Sequence, residues 1–581
     1  MNQRKTAALF LLAVALGSVL TILPRLQIKE VTDDMAGAGS LACTFIISTN
    51  GSRTSVKDCA SGVAAFSGVD AATEINDAIA ALRNGGVIHL RAGNYTLSTP
   101  ILGAVNNVTF EGEGIRTVFN ANVGFRNSLI LVRGSNWVLR DFKIDGSNQP
   151  RKHSYEGIYL TGNNETIMDT YVTGTDHAAI DGTHFGCGGN CGYGVRILNN
   201  TITNGFDDGI IVRGSDVTVE GNTVDTTHNH NGISLVSPQF VSVDGNSINN
   251  TDNGIALENL GYGQGPAEFI SITANTIRNS RFFGFWIYSA DGDSGDHVTF
   301  NRNTIINPRT GGIEVDSGSH NLVSDNIVAN SSGRGIYVLG LAQFLTISGN
   351  TVIAPKQNGI WLTTDFNDGL VQNNTITAPT GSGILLVANS NVAIRRNIIS
   401  YPTATSPIAG IEVDRGNDII IDSNLVRLVG NNHIGVTLIA VTGFAVVGNN
   451  ITCSGMHGAF SPLTAGIRVS NSTNGSISSN TVLGNASSCI VLENVSNTTV
   501  VGSRVAAPAN CTSDAAVRST NVIGNNNLNN CGLLNTISER IIPPRHGHLR
   551  GGYATPAALN LKLEYLTVAN DSAESSLQWL R

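Results

Sequence analysis

The chain has 581 residues, more than one compact core usually organises, with 65 glycines and 64 asparagines but only 13% charged residues. That composition is too apolar for a disordered chain, and it has neither the Gly-X-Y period of collagen nor the heptads of a coiled coil. A net charge of −8, with 35 basic residues and no basic cluster over most of the length, argues against nucleic-acid binding.

Arg4 and Lys5 precede an uncharged stretch from Thr6 to Leu23, then Pro24 and Arg25. A positive segment followed by an apolar one is an export address, and residues 1–38 are read as a signal peptide or an N-terminal membrane anchor. Eighteen residues make about 27 Å of helix, slightly short of the hydrocarbon core, so both readings stay open. The expected location is extracellular or at the cell surface, and the expected state is a monomer. Eight cysteines fall into sequence neighbours: Cys43 with Cys59, Cys187 with Cys191, Cys453 with Cys489, Cys511 with Cys531. In an exported chain an even count reads as disulfides. Sixteen Asn-x-Ser/Thr sequons, such as Asn94 and Asn497, would suit a glycoprotein, but the repeat described below generates such strings by itself.

Residues 39–99 read as an N-terminal cap. A helix is expected with Asp70 or Thr73 as its N-cap, with Ile75, Ile79 and Leu82 on one face and Gly85 closing it. The apolar run Val87-Ile88-His89-Leu90 and a turn at 91–94 follow.

Residues 100–535 are a repeat. A Gly-apolar-x-apolar unit recurs at Gly157, Gly209, Gly232, Gly254, Gly284, Gly312, Gly335, Gly359, Gly383, Gly410, Gly435 and Gly466. Between these units lies apolar-x-x-Asn-x-apolar, at Asn222, Asn246, Asn275, Asn350, Asn374 and Asn480. Both alternate with the strand period and are bounded by turn residues. Two or three short strands cannot bury their inward side chains alone, so successive repeats must stack. The recurrent Asn sits at a corner, where its amide can bond the next Asn along the stack. The expected fold is all-β: a single-stranded right-handed parallel β-helix of about 18 rungs, at about 24 residues each. The Leu spacing of a leucine-rich horseshoe is absent, and a propeller needs longer repeats. Residues 536–581, with Pro543-Pro544 and a short basic run, read as a C-terminal cap or tail.

The helix, VIHL, TLSTPI and NVTFEGEG together resemble the N-terminal entry of pectate-lyase-superfamily β-helices, in which a helix covers the open strand edges of the stack. The span from about 70 to 535 resembles this superfamily, most of whose members act on polysaccharides.

Aligning rungs on the recurrent Gly converts sequence into a surface map. One rung carries Ala179 in place of Gly. The position two before it then reads His177, Asp207, His230 and Asp252 on consecutive rungs, with Asp208 and Asp181 adjacent. Crowded carboxylates push one pKa upward, so one patch supplies both an acid and a base. The bland alternative is that Asp and Asn before Gly merely shape corners. His184, Cys187, Cys191 and Asp181 have zinc-ligand spacing, but a small-loop disulfide is the preferred reading, and no metal is assigned. No cofactor is assigned either, with calcium left open. Downstream, Arg213, Glu258, Trp286, Tyr288, Glu314, Asp316, Tyr337 and Trp361 fall on outward positions suited to stacking on sugar rings and pairing with their polar groups.

The segment Ala179-Ile180-Asp181-Gly182-Thr183-His184, followed by Asp208, resembles the aspartates of mannuronan C-5 epimerases. Less closely, Asp181, Asp207, Asp208 and His230 are in the order of the polygalacturonases' acids and His. The leading expectation is therefore an exported lyase or C-5 epimerase of a uronate-containing polysaccharide. His230 or His177 would be the base, Arg213 would neutralise the substrate carboxylate, and Asp181 and Asp208 would orient them. An inverting hydrolase, with Asp181, Asp207 and Asp208 sharing acid and base work, is the second expectation. A non-catalytic surface or periplasmic β-helix, for adhesion, envelope structure or metal delivery, is the third.

Overall fold

The computed structural model describes residues 43–151, 154–182, 192–227, 229–259, 267–289, 295–364, 366–402, 409–429, 433–454, 465–484, 488–506, 517–520 and 527–529. Three parallel sheets run along a coil. A representative turn takes Ile210–Val212 into the first sheet, Ser215–Glu220 into the second and Thr223–Thr227 into the third. The chain then re-enters the first sheet one rung on at Ile233–Val236. Among the described residues the first and third sheets have 17 strands each and the second has 18. The expected all-β right-handed parallel β-helix is the fold.

Inward positions are apolar on every rung. Ile158, Ile180, Ile210, Ile233, Ile255, Phe285, Ile313, Ile336 and Ile360 are in register down the first sheet and fully buried. The recurrent Gly has a steric cause. A Cβ on Gly335 would lie 2.4 Å from both the Gly359 carbonyl oxygen and Val352 Cγ1. Only a residue without a side chain lets the third-sheet strand fill that corner while the next rung closes on it.

The cap holds the expected helix, Ala71–Ala81, with the Asp70 carboxylate accepting the Thr73 N–H at 3.1 Å. Ile75, Ile79 and Leu82 are buried beneath it. The coil begins before residue 100: Gly86–Leu90 pairs in parallel with Val108–Glu111, and Gly93–Leu97 with Thr117–Ala121. Cys43 and Cys59 form a disulfide at the start of the cap. Residues 1–38, His184, Cys187, Cys191, Cys511, Cys531 and the tail 536–581 lie outside the described residues, as do the side chains of Cys453 and Cys489.

The asparagine ladder lies at the corner between the second and third sheets. It runs through Asn200, Asn222, Asn246, Asn275, Asn303, Asn326, Asn350, Asn374, Asn397, Asn424, Asn449 and Asn480, all buried. At Asn350, Nδ2 donates to Asn374 Oδ1 and to the Val323 carbonyl, both at 2.9 Å. Its Oδ1 accepts the backbone N–H and side-chain amide of Asn326. Every polar atom of the buried amide is thereby satisfied within the stack.

A second column, at the corner between the first and second sheets, holds left-handed residues. Asp216 and Asp368 are ordinary occupants, but five intervening rungs carry Phe240, Phe269, His297, His320 and Phe344 at φ between 50° and 56°. Bulky residues are rare in that conformation. Here their rings stack at 4.9–5.2 Å between centroids, which offsets part of the backbone cost.

Replacing Asn350 by Ala strands several buried partners at once, so the expected loss is about 3 kcal/mol of unfolding free energy. Denaturant unfolding of Asn350→Ala against the exposed control Ser332→Ala checks this; equal midpoints would contradict an internal ladder.

Candidate functional site

The turn from the third sheet back into the first carries the chemistry. On four consecutive rungs this turn reads His177-Ala178, Asp207-Asp208, His230-Asn231 and Asp252-Asn253, each running into Ala179 or the recurrent Gly. The Gly residues draw these turns together: a Cβ on Gly209 would sit 2.5 Å from the Gly232 carbonyl oxygen. Backbone bonds such as Asp252 N–H to His230 O, at 2.9 Å, lock the spacing.

The side chains form one connected group. His177 Nδ1 lies 3.3 Å from Glu156 Oε1, and its Nε2 lies 3.5 Å from Asp207 Oδ2. His230 Nδ1 is 4.0 Å from Asp207 Oδ1 and 2.7 Å from Asp208 Oδ1. Asp208 Oδ1 also accepts the Asn231 N–H at 3.0 Å and the Ser234 hydroxyl at 2.6 Å. Asn231 Nδ2 donates to Glu258 Oε1 at 2.9 Å. Asp181 accepts from Arg213 Nη1 at 2.5 Å, with both side chains buried. Asp252 pairs with Arg281 at 3.1 Å.

Crowding sorts these groups electrostatically. The Asp208 charge pushes His230 up to about 10, outweighing the burial that opposes a cation. Burial works against the Asp208 charge, but the His230 imidazolium and its hydrogen bond, with the Ser234 hydroxyl, hold that carboxyl below its ordinary value. Burial and the neighbouring Asp208 charge move Asp207 the other way, upward, and the two histidines offset only part of this. Burial likewise disfavours a charged His177, yet Glu156, Asp207 and Asp208 raise it. Burial raises Asp181 to about 7 against the pull of Arg213. Glu258 and Asp252 are raised by burial as well. One patch therefore holds an ionised carboxylate, carboxyls inclined to carry protons, a cationic imidazole at His230 and a second imidazole, His177, raised above its ordinary value.

The geometry bears on two expected roles. Asp208 raises His230 to about 10, which favours its imidazolium form near neutral pH. Arg213 is buried against Asp181, which leaves it poorly placed to neutralise a substrate carboxylate. Glu156 was missed by the sequence map. It stands one before Gly157, the position of Asp208 two rungs on, so extending the alignment back would have found it. Ser234 and Asn231 were also missed; they look like ordinary strand and corner residues until their bonds to Asp208 and Glu258 are seen.

Two ligand sets could hold a divalent ion: Glu156, His177 and Asp181, and Asp207, Asp208 and His230, each with its donor atoms within 4.8 Å of one another. Each set includes one imidazole, whereas calcium takes oxygen ligands, so the donor chemistry suits a zinc-like ion better than calcium.

Further along the first sheet, register puts Asp181, Ile211, Ser234, Ala256, Trp286, Glu314, Tyr337 and Trp361 in one outward column. Tyr288 follows Glu258 in the neighbouring column. Trp286 and Trp361 are half-buried, with aromatic partners Tyr288 and Tyr337 at 4.8 and 5.2 Å. Trp286 and Tyr288 thus lie one rung beyond Asp252 and Glu258, and Glu314, Tyr337 and Trp361 follow on the next three rungs of the same face.

The family model for the right handed beta helix region matches residues 128–294 and 289–451, and the chain belongs to that family. No curated protein matches it. Similar solved structures include the Agl-KA catalytic domain, 15% identical over 64% of this chain, with TM-score 0.37; the chain spans 61% of that domain's length. The Azotobacter vinelandii mannuronan C-5 epimerase AlgE6 A-module is 15% identical, with 78% of this chain and 95% of that one covered and TM-score 0.21. A mannuronic acid specific polysaccharide family 6 lyase from human gut microbiota is 13% identical, with 60% and 84% covered and TM-score 0.35. At such identity the likeness concerns the coil alone.

The ion pair sets a pH sign. His230 rises from an ordinary value near 6.5 to about 10, so its stabilisation is full below about 6.5 and is lost as pH climbs through 10. Histidine-resolved NMR titration should find the His230 imidazole titrating well above 6.5, and Asp208→Asn should bring it down toward that value. An ordinary value in the unmodified protein would contradict the pairing.

Proposed function

We propose that this protein is an exported enzyme that cleaves glycosidic bonds of a polysaccharide by carboxyl acid–base chemistry in the Asp/His patch. The observation that supports it is the Asp207–Asp208 pair with His230. Asp208 stays ionised and fixes the imidazolium, while Asp207, the more accessible carboxyl, is raised and suited to protonating a leaving oxygen. Asp181 on the preceding rung, raised to about 7 and with Oδ1 lacking a partner among the described residues, is the second carboxyl and serves as the base toward a water. Glu156 and His177 position Asp207 from the other side.

This reading ranks hydrolysis above the lyase or epimerase expected from sequence. Proton abstraction beside a uronate carboxylate calls for a neutral base and a free cation. His230 is held charged and Arg213 is engaged. Export is supported by the N-terminal segment and by the Cys43–Cys59 disulfide, a bond of oxidising compartments. Among the described residues no helix is long and apolar enough to cross a membrane.

Purified protein incubated with neutral and uronate polysaccharides, read for reducing ends and for ultraviolet absorbance of unsaturated sugars, tests the reading. Reducing ends without ultraviolet absorbance are expected. Asp207→Asn should lower turnover about 10²–10⁴-fold with the melting transition kept. Unsaturated products would restore elimination, and full turnover by Asp207→Asn would refute the site.

A further inference from the structure

Five rungs beyond Asp181 on the same sheet face, roughly 24 Å at about 4.8 Å per rung, lies a second group of chemistry-bearing side chains. Glu314 and Asp316, two apart on one strand, hydrogen-bond to each other, and Trp286 Nε1 donates to Asp316 Oδ2 at 3.1 Å. The Arg334 guanidinium lies 3.9 Å from the Tyr337 ring centre and 4.3 Å from that of Trp361. Two donors here are buried with no partner among the described residues: Arg334 Nε and Trp361 Nε1.

That pattern is costly for a purely structural cluster. A buried donor left unpaired loses its water without gaining a partner, and this group holds two such donors. Burial and the mutual charge of the two acids push Glu314 well up, and burial pushes Asp316 to about 7, so the pair can share one proton. Flat rings, a carboxyl pair and a fixed guanidinium are the means by which proteins hold a ring bearing several hydroxyls. With one proton shared, the pair carries a single negative charge that Arg334 already offsets, so a uronate would bring a charge with no counter-ion and is the wrong guest.

We infer that Trp286, Glu314, Asp316, Arg334 and Trp361 form a distal binding site for a neutral pyranose unit, several sugar residues along the chain from the bond cleaved at the Asp/His patch. The inference rests on the polysaccharide reading above, but binding can be measured without turnover, so the two can fail separately. The site grips an extended polymer away from the reacting bond, which would make affinity depend on chain length.

Two of the four tryptophans in the chain, Trp286 and Trp361, belong to this group, so intrinsic fluorescence reports on it. The full-length protein is titrated with neutral heptasaccharides of the cello-, laminari-, nigero- and malto- series, with their disaccharides, and with an oligogalacturonate heptamer. At least one neutral heptasaccharide is expected to change the emission saturably, with its disaccharide binding at least about tenfold more weakly. Asp316→Asn and Trp361→Ala, each with an unchanged melting transition, should weaken that heptasaccharide about tenfold or more. No saturable response to any neutral heptasaccharide, preferential binding of the oligogalacturonate, or undiminished affinity in the folded Asp316→Asn variant would each overturn the site. Binding with these properties in a protein without any hydrolytic turnover would leave the distal site standing and remove the enzymatic reading.

Discussion

One buried amide per turn fixes the register on which everything else depends. A parallel coil has no short hairpins to set its pairing, and a shift by one residue would turn every inward Ile outward. Between the ladder's two end residues, each Asn bonds the amide ahead of it, accepts from the one behind and ties down a strand carbonyl, as Asn350 does, so neighbouring turns cannot slide independently. Residues just before ladder positions, such as Gly221 and Gly349, adopt positive φ, which is how the chain turns the corner while presenting the amide inward.

Register of this kind makes chemistry from repetition. Residues two dozen apart in sequence become neighbours at hydrogen-bond range, and charges set at one turn position are forced onto one another. The Asp208–His230 pair and the raised Asp207 follow from placing acids and histidines at a corner where other rungs carry residues such as Thr310, Asn358 and Ser382. Some of those charges are expensive to keep, and such sites hold them when function requires it. The Glu314–Asp316 pair repeats the arrangement farther along the same face.

Much of this was legible in the sequence. Gly and Asn recur because steric closure and amide stacking admit few alternatives, so the rung boundaries and the inward columns could be read directly. The grouping of His177, Asp207, Asp208 and His230 could be read as well, since alignment on the Gly gives height along the coil. Protonation was not legible. His230 looked like a base until its bond to Asp208 was seen, and Arg213 looked free until Asp181 was found against it. Glu156 and Arg334 were overlooked because each precedes a Gly whose rung seemed unremarkable. The aromatic column at Phe240, Phe269 and Phe344 contradicts the rule that left-handed corners take Asn, Asp or Gly, and only stacking between rungs explains it.

The central claim, that height along the molecule is counted in stacked rungs, can be measured as a distance. Ser247 and Ile398 are exposed third-sheet residues about 150 positions apart in sequence, and six register steps separate them. Spin labels on cysteines introduced at these two sites should give a narrow pulsed electron paramagnetic resonance distribution centred near 29 Å, at about 4.8 Å per step. A broad distribution, or a centre beyond about 40 Å, would contradict continuous stacking and with it the placement of both sites.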